Sequence, residues 1–371
     1  MVLALLAGVA FAGCGLKDEP DTSGPVVPDA PPIPAIEPAA APPGAAALPR
    51  VGDEGMRFGY NDGLDAGSAK VGLLPDSGSD TVRLRMNWKV VEPQQGQYDW
   101  SSFDTVYSQM LEIGIRPLWY LMEAPCWAGD ARVPCDPGGN SAGAPGPEHA
   151  ADFGGFVAAV AQRYPESLGI EIGNEQNDPT FWFNGQEPVG YTQLLAQASS
   201  AMDEIGSEIP IVAGGLAPIA NPKDGEVDWR TYLSVMLDNG AADYADALAF
   251  HPYVRTAPGD DPGPPTAALL DKVQALMDAR GAGDEPLWVT EVGVTTASRP
   301  PKTPQQQADG LVSILTTLQE RGTPVTIVHR LVDEVRPDFP LEAGFGVIAA
   351  DNGTRKPAYC AIAAFRGVPC S

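Results

Sequence analysis

Two acidic residues, each at the end of an apolar run rich in β-branched residues, are the best candidates for chemistry in this chain of 371 residues. Glu175 ends the run 168–175, and Glu291 ends the run 286–291. In a barrel of parallel strands the C-terminal strand ends converge on one mouth, so two acids far apart in sequence can face each other. A facing pair of carboxylates is the minimum machinery for cleaving a glycosidic bond.

The elements that would position these acids form a repeating pattern from residue 51 onward. Short apolar runs alternate with longer segments of helical periodicity, and eight such repeats predict an α/β fold, a closed (β/α)8 TIM barrel, rather than an open doubly wound sheet. No G-x-G-x-x-G or G-x-x-x-x-G-K-[ST] loop follows a predicted strand, which disfavours nucleotide binding. The predicted strands lie near Met56–Tyr60, Thr81–Met86, Pro117–Met122, Leu168–Asn174, Ile211–Gly215, Asp246–His251, Pro286–Glu291 and Pro324–His329. The predicted helices are Phe103–Ile113, Ala151–Tyr164, Pro188–Ile205, Trp229–Asp238, Thr266–Arg280, Pro304–Arg321 and one after Lys356.

The first fifty residues differ in composition from the rest. Residues 1–13 contain an apolar stretch too short to span a bilayer, which predicts a secretory signal peptide, and residues 11–14 resemble the lipobox of bacterial lipoproteins with Cys14 as the lipidated residue. Position 11 is Phe where Leu is usual, so a plain cleaved signal with an incidental cysteine stays open. Residues 14–50 are dominated by Pro, Ala, Asp and Gly, which predicts a disordered tether before a catalytic domain at 51–371. We therefore expect a cell-surface or extracellular protein that meets the membrane only through its lipid anchor.

The net charge of −25, from 23 Lys and Arg against 48 Asp and Glu, argues against nucleic acid and anionic membrane surfaces as partners. Strongly anionic polysaccharides are disfavoured for the same reason, whereas a neutral poly- or oligosaccharide is compatible. We expect a monomer.

Four cysteines remain if Cys14 carries lipid, and their positions suggest two local disulfides, Cys126 with Cys135 and Cys360 with Cys370. Four cysteines allow three pairings, so the sequence leaves the connectivity open. Neither spacing is typical of a zinc site, and the chain has three histidines. The sequence therefore predicts no metal and no cofactor.

The motif Gly173-Asn174-Glu175 on the fourth predicted strand and Glu291 on the seventh resemble the signature of the clan A retaining glycoside hydrolases, such as families five and thirty-nine. The resemblance covers about residues 51 to 366, and its specificity lies in the order of the matching pieces along a (β/α)8 barrel. The other matching pieces are Arg83 with Trp88, Glu92-Pro93, Gly96-Gln97-Tyr98 with Trp100, Pro125-Cys126-Trp127, His251-Pro252-Tyr253 and Lys356-Pro357-Ala358-Tyr359.

The resemblance implies a role for each matching residue. Glu175 would be the general acid/base, Glu291 the nucleophile, and Asn174 the donor to the sugar 2-hydroxyl. The nucleophile must stay ionised, and Arg83 and Tyr253 are the best candidates to hold it so. The two carboxyl groups should then lie about 5–5.5 Å apart, the spacing for retention of configuration through a covalent glycosyl-enzyme.

Several further residues have both a functional and a structural interpretation. Arg85 lies on the same strand face as Arg83, and either could be a structural ion pair; Glu171 is expected to pair with an arginine below the site. His251 could be a neutral histidine under the site rather than a proton carrier. The aromatic candidates for sugar contact are Trp88, Trp127, Trp119, Trp182 and Phe181, of which about half would ordinarily pack in the core.

One position departs from the resemblance. Clan A enzymes often carry a tryptophan at the end of the eighth strand, where this chain has His329. The leading hypothesis is a retaining β-glycosidase. The alternatives are a carbohydrate-binding pseudoenzyme on the same barrel and, less favoured, the solute-binding lipoprotein of a sugar transporter, which would need two lobes. Which sugar, which linkage, endo or exo action, and hydrolysis or transglycosylation are left open.

Overall fold

In the computed structural model, eight parallel strands close a barrel in which each strand pairs with the next in sequence and the eighth pairs with the first. The structure describes residues 32–61, 71–130, 134–135, 141–183, 187–334, 340–350 and 353–370. The predicted signal peptide, Cys14 and the first half of the predicted tether lie outside these residues. The strands are β1 Arg57–Asn61, β2 Thr81–Asn87, β3 Arg116–Met122, β4 Gly169–Ile172, β5 Ile211–Leu216, β6 Ala247–Phe250, β7 Leu287–Val292 and β8 Val325–His329.

The helices that follow the strands agree with the predicted pattern of β-then-α repeats. The predicted N-cap Thr303 is confirmed: its hydroxyl accepts from the Gln306 backbone N–H at 3.1 Å, and the Gln306 side chain accepts from the Thr303 backbone N–H at 2.9 Å. The helices are α1 Trp88–Val91, α2 Ser101–Glu112, α3 Ala150–Arg163, α4 Pro188–Ile205, α5 Trp229–Asp238, α6 Ala241–Tyr244, α7 Gly263–Asp278, α8 Pro304–Glu320 and α9 Pro357–Phe365. No helix among the described residues has both the length and the apolar character needed to cross a membrane.

A small antiparallel pair, Ala124–Pro125 with Ser141–Gly143, was not predicted and lies in the loop after β3. The Cys126–Cys135 disulfide closes part of this loop, and Cys360–Cys370 ties α9 to the chain that follows it. Both predicted disulfides are therefore confirmed.

The chain ahead of the barrel differs from the expected tether over residues 32–50. The Ala39 N–H donates to the Arg163 carbonyl at 2.7 Å, and the Gln162 side chain donates to the Pro34 carbonyl at 3.1 Å. The buried guanidinium of Arg116 donates to three carbonyls of the segment, those of Ala45, Ala46 and Leu48. The barrel unit thus includes this segment, because side chains of β3 and α3 satisfy its backbone. Composition alone cannot show such contacts.

The barrel interior changes character along its length. Its N-terminal part is filled by a separate apolar cluster that includes Leu118, Val212 and Trp288. Two residues further along β7 the inward side chain is Thr290, and the interior there also contains Arg83 and Glu171, all fully buried. This polar layer lies directly above the apolar cluster, on the side of the barrel mouth.

Candidate active site

Glu175 and Glu291 share the mouth of the barrel. A carboxylate oxygen of one lies within 4.8 Å of a carboxylate oxygen of the other. Glu291 belongs to β7, whereas Glu175 lies just past β4, after Gly173 with φ 81°. Glu175 itself has φ 44°, an uncommon value for a residue with a side chain, and its N–H donates to the Gly215 carbonyl at 2.9 Å. The backbone thus accepts local strain where it presents the carboxylate.

Glu291 is surrounded by hydrogen-bond donors and positive charge. The Tyr253 hydroxyl donates to Oε1 at 2.7 Å, the Asn61 amide to Oε2 at 2.6 Å, and Arg83 Nη1 to Oε2 at 3.3 Å. Burial alone would raise the pKa of Glu291, but nearby charges, with His329 the strongest, and the Tyr253 hydrogen bond outweigh it and lower the pKa to about 2. Glu291 is therefore a carboxylate held in its ionised form.

Glu175 has the opposite environment. Its Oε1 lies 2.9 Å from His251 Nδ1, and its side chain is nearly buried. Burial is the main cause that raises the pKa of Glu175, His251 works against it, and the charge of Glu291 adds to it. The pKa values of the two carboxyl groups are thus shifted in opposite directions. Such a difference distinguishes a general acid from a nucleophile.

A buried chain of hydrogen bonds connects the two sides of the site below the carboxylates. Glu171 accepts from Arg83 Nε at 2.7 Å and from the Thr290 hydroxyl at 2.9 Å. Because the hydroxyl has donated its proton there, its oxygen accepts from His251 Nε2, which lies 3.1 Å away. The network assigns a proton to Nε2 of His251, so a second proton is shared between Nδ1 and Glu175. The expected pairing of Glu171 with an arginine is present.

Asn174 lies next to this chain of hydrogen bonds and is nearly buried. Its Oδ1 accepts from Arg83 Nη2 at 2.8 Å. Since the oxygen is engaged, the amide nitrogen is the end of the side chain that remains to donate to a substrate.

His329, at the end of β8, stands between two carboxylates. Its Nε2 lies 2.8 Å from Glu342 Oε2, and its Nδ1 lies 3.7 Å from Glu291 Oε1 and 3.4 Å from the Asn61 amide nitrogen. Burial favours the neutral ring, but the charges of Glu291 and Glu342 outweigh it and raise the pKa of His329. A polar ring between two carboxylates therefore lies where the resemblance would place a tryptophan.

The two arginine candidates are separated by their partners. Arg83 is fully buried and contacts Glu171, Asn174 and Glu291. Arg85 is exposed at the rim, where it forms an ion pair with Glu123. Arg83 is thus the arginine of the candidate site.

The aromatic predictions need correction. Trp88 is 1% exposed and stacks on Phe156 with ring centroids 5.3 Å apart, so it packs in the core rather than contacting a sugar. Trp119 and Trp182 are also buried, Trp119 against Phe103 and Tyr164 and Trp182 against Tyr191. Trp127 is partly exposed, packs edge to face on Trp88, and donates to the Glu92 carbonyl at 3.1 Å. Of the five candidates, Trp127 and the exposed Phe181 are left.

Four residues of the site were missed from the sequence: Asn61, Thr290, Glu342 and Phe345. Asn61 ends β1 as a polar residue after an apolar run, the same signal that identified Glu291, and Thr290 directly precedes Glu291. Glu342 and Phe345 lie in the connection after β8, where no periodic pattern marks them.

The donor side chains at the mouth do not suit a metal ion. One ligand atom from each of Glu175, His251 and Glu291 lies within 4.8 Å of the other two. Both ring nitrogens of His251 already have partners, Glu175 and Thr290, so binding a cation through this ring would break the buried network. The three side chains are better suited to hold and move a proton.

No known family model matches this sequence, and no curated protein matches it. Among solved structures, the chain is similar to a family 39 glycoside hydrolase from the gut symbiont Bacteroides cellulosilyticus WH2, with a TM-score of 0.64 and 19% identity over 86% of this chain and 65% of that one. It is also similar to the exo-beta-1,4-mannosidase Op5Man5 from Opitutaceae bacterium strain TAV5, with a TM-score of 0.59 and 18% identity over 88% of this chain and 62% of that one. A third is a GH5_18 variant from Streptomyces cattleya in complex with Manb1-4GlcNAc, with a TM-score of 0.61 and 18% identity over 85% of this chain and 82% of that one.

The chain spans less than two thirds of the length of the first two of these proteins, 65% and 62%. At such identities the likeness shows the fold alone, the (β/α)8 barrel that the sequence predicts.

Proposed function

We propose that this protein is a retaining β-glycoside hydrolase that cleaves O-glycosidic bonds of a neutral poly- or oligosaccharide, with Glu175 as acid/base and Glu291 as nucleophile. The observation that carries the proposal is the carboxylate pair within 4.8 Å, in which the pKa of Glu175 is raised and that of Glu291 is lowered to about 2. Retention needs carboxyl groups about 5–5.5 Å apart, whereas inversion needs about 6.5–9.5 Å to leave room for water.

In the first step Glu291 Oε attacks the anomeric carbon while Glu175 gives its proton to the departing glycosidic oxygen. The carbon–oxygen bond to the leaving group breaks, and a glycosyl ester on Glu291 forms. In the second step Glu175, now a carboxylate, takes a proton from water, the water oxygen attacks the same carbon, and the ester bond breaks. Glu291 leaves as a carboxylate and Glu175 is again protonated, so the cycle closes.

The surrounding residues support both steps. His251 Nδ1 lies 2.9 Å from Glu175 Oε1 and orients the carboxyl group, while burial favours its acid form before cleavage. Arg83, Asn61 and Tyr253 donate hydrogen bonds that keep Glu291 ionised. The same donors stabilise the negative charge that Glu291 regains when the ester breaks. The contact of Asn174 Oδ1 with Arg83 supports a role for the Asn174 amide nitrogen as donor to the sugar 2-hydroxyl.

The similar structures support the substrate class. They are a family 39 glycoside hydrolase, an exo-beta-1,4-mannosidase and a GH5_18 variant holding Manb1-4GlcNAc. The net charge of −25 favours uncharged sugars.

A carbohydrate-binding pseudoenzyme is the second candidate, because β8 ends in His329 rather than in an aromatic platform. The closed barrel argues against a two-lobed solute-binding protein.

We also propose export and a lipid anchor at Cys14. The two disulfides support an oxidising compartment. Labelling with radioactive palmitate that persists in a Cys14→Ser variant would contradict the anchor.

The test is a screen of aryl β-glucoside, β-mannoside, β-xyloside and β-galactoside, with the product anomer read by nuclear magnetic resonance. The matched 2-deoxy-2-fluoro glycoside should label Glu291. Glu291→Gln should lower kcat/KM by more than about 10⁴-fold, and azide should restore turnover to Glu175→Ala.

The matched control is Glu123→Gln, which removes a rim carboxylate that pairs with Arg85 and should leave kcat/KM unchanged. Inverted product or a label on another residue would refute the mechanism. A folded wild type that binds sugars but neither hydrolyses nor is labelled would favour the pseudoenzyme.

A further inference from the structure

The segment 340–346, which follows β8, brings an aromatic ring to the nucleophile side of the mouth. The ring of Phe345 packs edge to face against His329, with centroids 5.1 Å apart, and against Tyr253, with centroids 5.8 Å apart. The Tyr253 hydroxyl donates to Glu291 Oε1, and His329 Nδ1 lies 3.7 Å from the same oxygen. Phe345 therefore contacts two side chains, Tyr253 and His329, that each contact the proposed nucleophile.

Buried hydrogen bonds hold this segment in place. Nε2 of the fully buried Gln307 of α8 lies 2.9 Å from the carbonyl oxygens of Val294 and Gly344 and 3.2 Å from those of Phe345 and Gly346, and its two N–H groups are shared among these acceptors. The Thr295 hydroxyl donates to the Leu341 carbonyl at 2.7 Å. The position of the ring is thus set before any ligand arrives, as a binding surface requires.

The backbone after the nucleophile leaves room for the ring. Gly293 follows Glu291 by two residues, and a Cβ at Gly293 would lie 2.5 Å from the His329 carbonyl oxygen and 2.8 Å from Phe345 Cδ1. A side chain there would displace the ring, so glycine allows Phe345 to pack directly on the chain that carries Glu291. The ring is partly exposed rather than buried.

His329 is poorly suited to be a sugar platform itself. Its Nε2 is engaged by Glu342 at 2.8 Å, its Nδ1 faces Glu291 at 3.7 Å, and its ring is in T-shaped contact with Phe345. A ring whose two nitrogens both face carboxylates is polar, whereas the apolar C–H face of a pyranose stacks on an apolar aromatic ring. Phe345 is such a ring.

We propose that Phe345 is the aromatic platform for the sugar unit bound beside Glu291, and that it takes the place of the aromatic residue absent from the end of β8. The inference rests on the proposed function and adds a residue that determines specificity. Phenylalanine offers no polar group, so the platform selects for a sugar that turns a C–H face toward the segment 340–346.

The test compares three substitutions of Phe345 on the aryl β-glycoside that the wild type prefers. Phe345→Leu keeps apolar volume but removes the flat ring, and it should raise KM and lower kcat/KM by about tenfold. Phe345→Tyr should stay within about threefold of wild type, whereas Phe345→Ala should lose at least as much as the leucine variant. Leu341→Ala, which removes an exposed apolar side chain from the same segment, is the matched control and should leave KM unchanged.

The pattern separates stacking from folding. If Phe345→Leu keeps both the wild-type Tm and the wild-type KM, the platform is refuted. If the wild type hydrolyses no glycoside, the proposed function fails by itself, and calorimetric titration with cellobiose, mannobiose and xylobiose tests the platform separately. Binding that weakens about tenfold in Phe345→Leu would then support it. Equal binding by the two proteins, or binding of none of the three sugars by wild type, would overturn it.

Discussion

The two ends of the barrel each bury an arginine, and the partners of the two side chains differ. At the mouth, Arg83 contacts the carboxylates of Glu171 and Glu291 and the amide of Asn174. At the other end, Arg116 at the start of β3 donates to backbone carbonyls of residues 45–48 and to Glu166. Both guanidinium groups are fully buried.

The two arginines differ in whether a partner of the guanidinium group borders the open mouth. Arg116 donates to carbonyls and to one carboxylate, and these partners lie away from the mouth. Its charge therefore stabilises the fold around segment 32–50. Arg83 ends on a carboxylate that also borders the open mouth, and Glu291 keeps 13% of its side chain exposed. A buried charge therefore indicates function only when its partner also faces a space that a ligand can enter.

The largest effect is expected from Arg83→Met. The substitution leaves Glu171 buried without its charge partner, which should destabilise the protein by about 3–5 kcal/mol, and it removes a donor to Glu291, which should lower kcat/KM by on the order of 10³-fold. Denaturant unfolding and steady-state kinetics measure the two losses. Unchanged kcat/KM in a folded variant would show that Arg83 belongs to the fold alone.

Arg116→Met should distinguish the two ends of the barrel, because it should reduce stability without reducing activity. Loss of its hydrogen bonds to carbonyls and to Glu166 should lower the free energy of unfolding by about 3 kcal/mol, while kcat/KM stays within about twofold because no contact of Arg116 reaches the mouth. Limited proteolysis should cut within residues 32–50 faster than in wild type. A parallel fall in kcat/KM would mean that the two ends are coupled.

The smallest and most specific effect is on pH dependence, which only the mouth should show. In the proposed mechanism Glu175 is protonated for the first step, so we expect the alkaline limb of the kcat/KM profile to follow its raised pKa. Burial raises this pKa and His251 lowers it, so His251→Asn should move the alkaline limb to higher pH.

Asp178→Asn is the control of opposite sign. The charge of Asp178 helps to raise the pKa of Glu175, so its removal should move the alkaline limb to lower pH. Shifts of the same sign in both variants would contradict the assignment of that limb to Glu175.

Much of the barrel was readable from the sequence because strand patterns are local. The predicted β2 and β3 began within one residue of the observed strands, and α4 and α5 were placed at their observed bounds. Alternating apolar residues over four to six positions suffice to mark a strand, and Thr303 with Pro304 marks a helix start. The short α1 and α6 were missed because four residues are too few to show a period.

By itself, the sequence determined the eight-fold repeat and two acids at strand ends, and with them the expectation that residues 175 and 291 meet. Only the tertiary structure decided which polar and aromatic side chains surround them. Asn61 reaches Glu291 across 230 positions of chain, and Phe345 arrives on a connection without periodic pattern, while Trp88 turns into the core. Such contacts depend on barrel closure and on the path of each loop, and neither is encoded in the spacing of neighbouring residues.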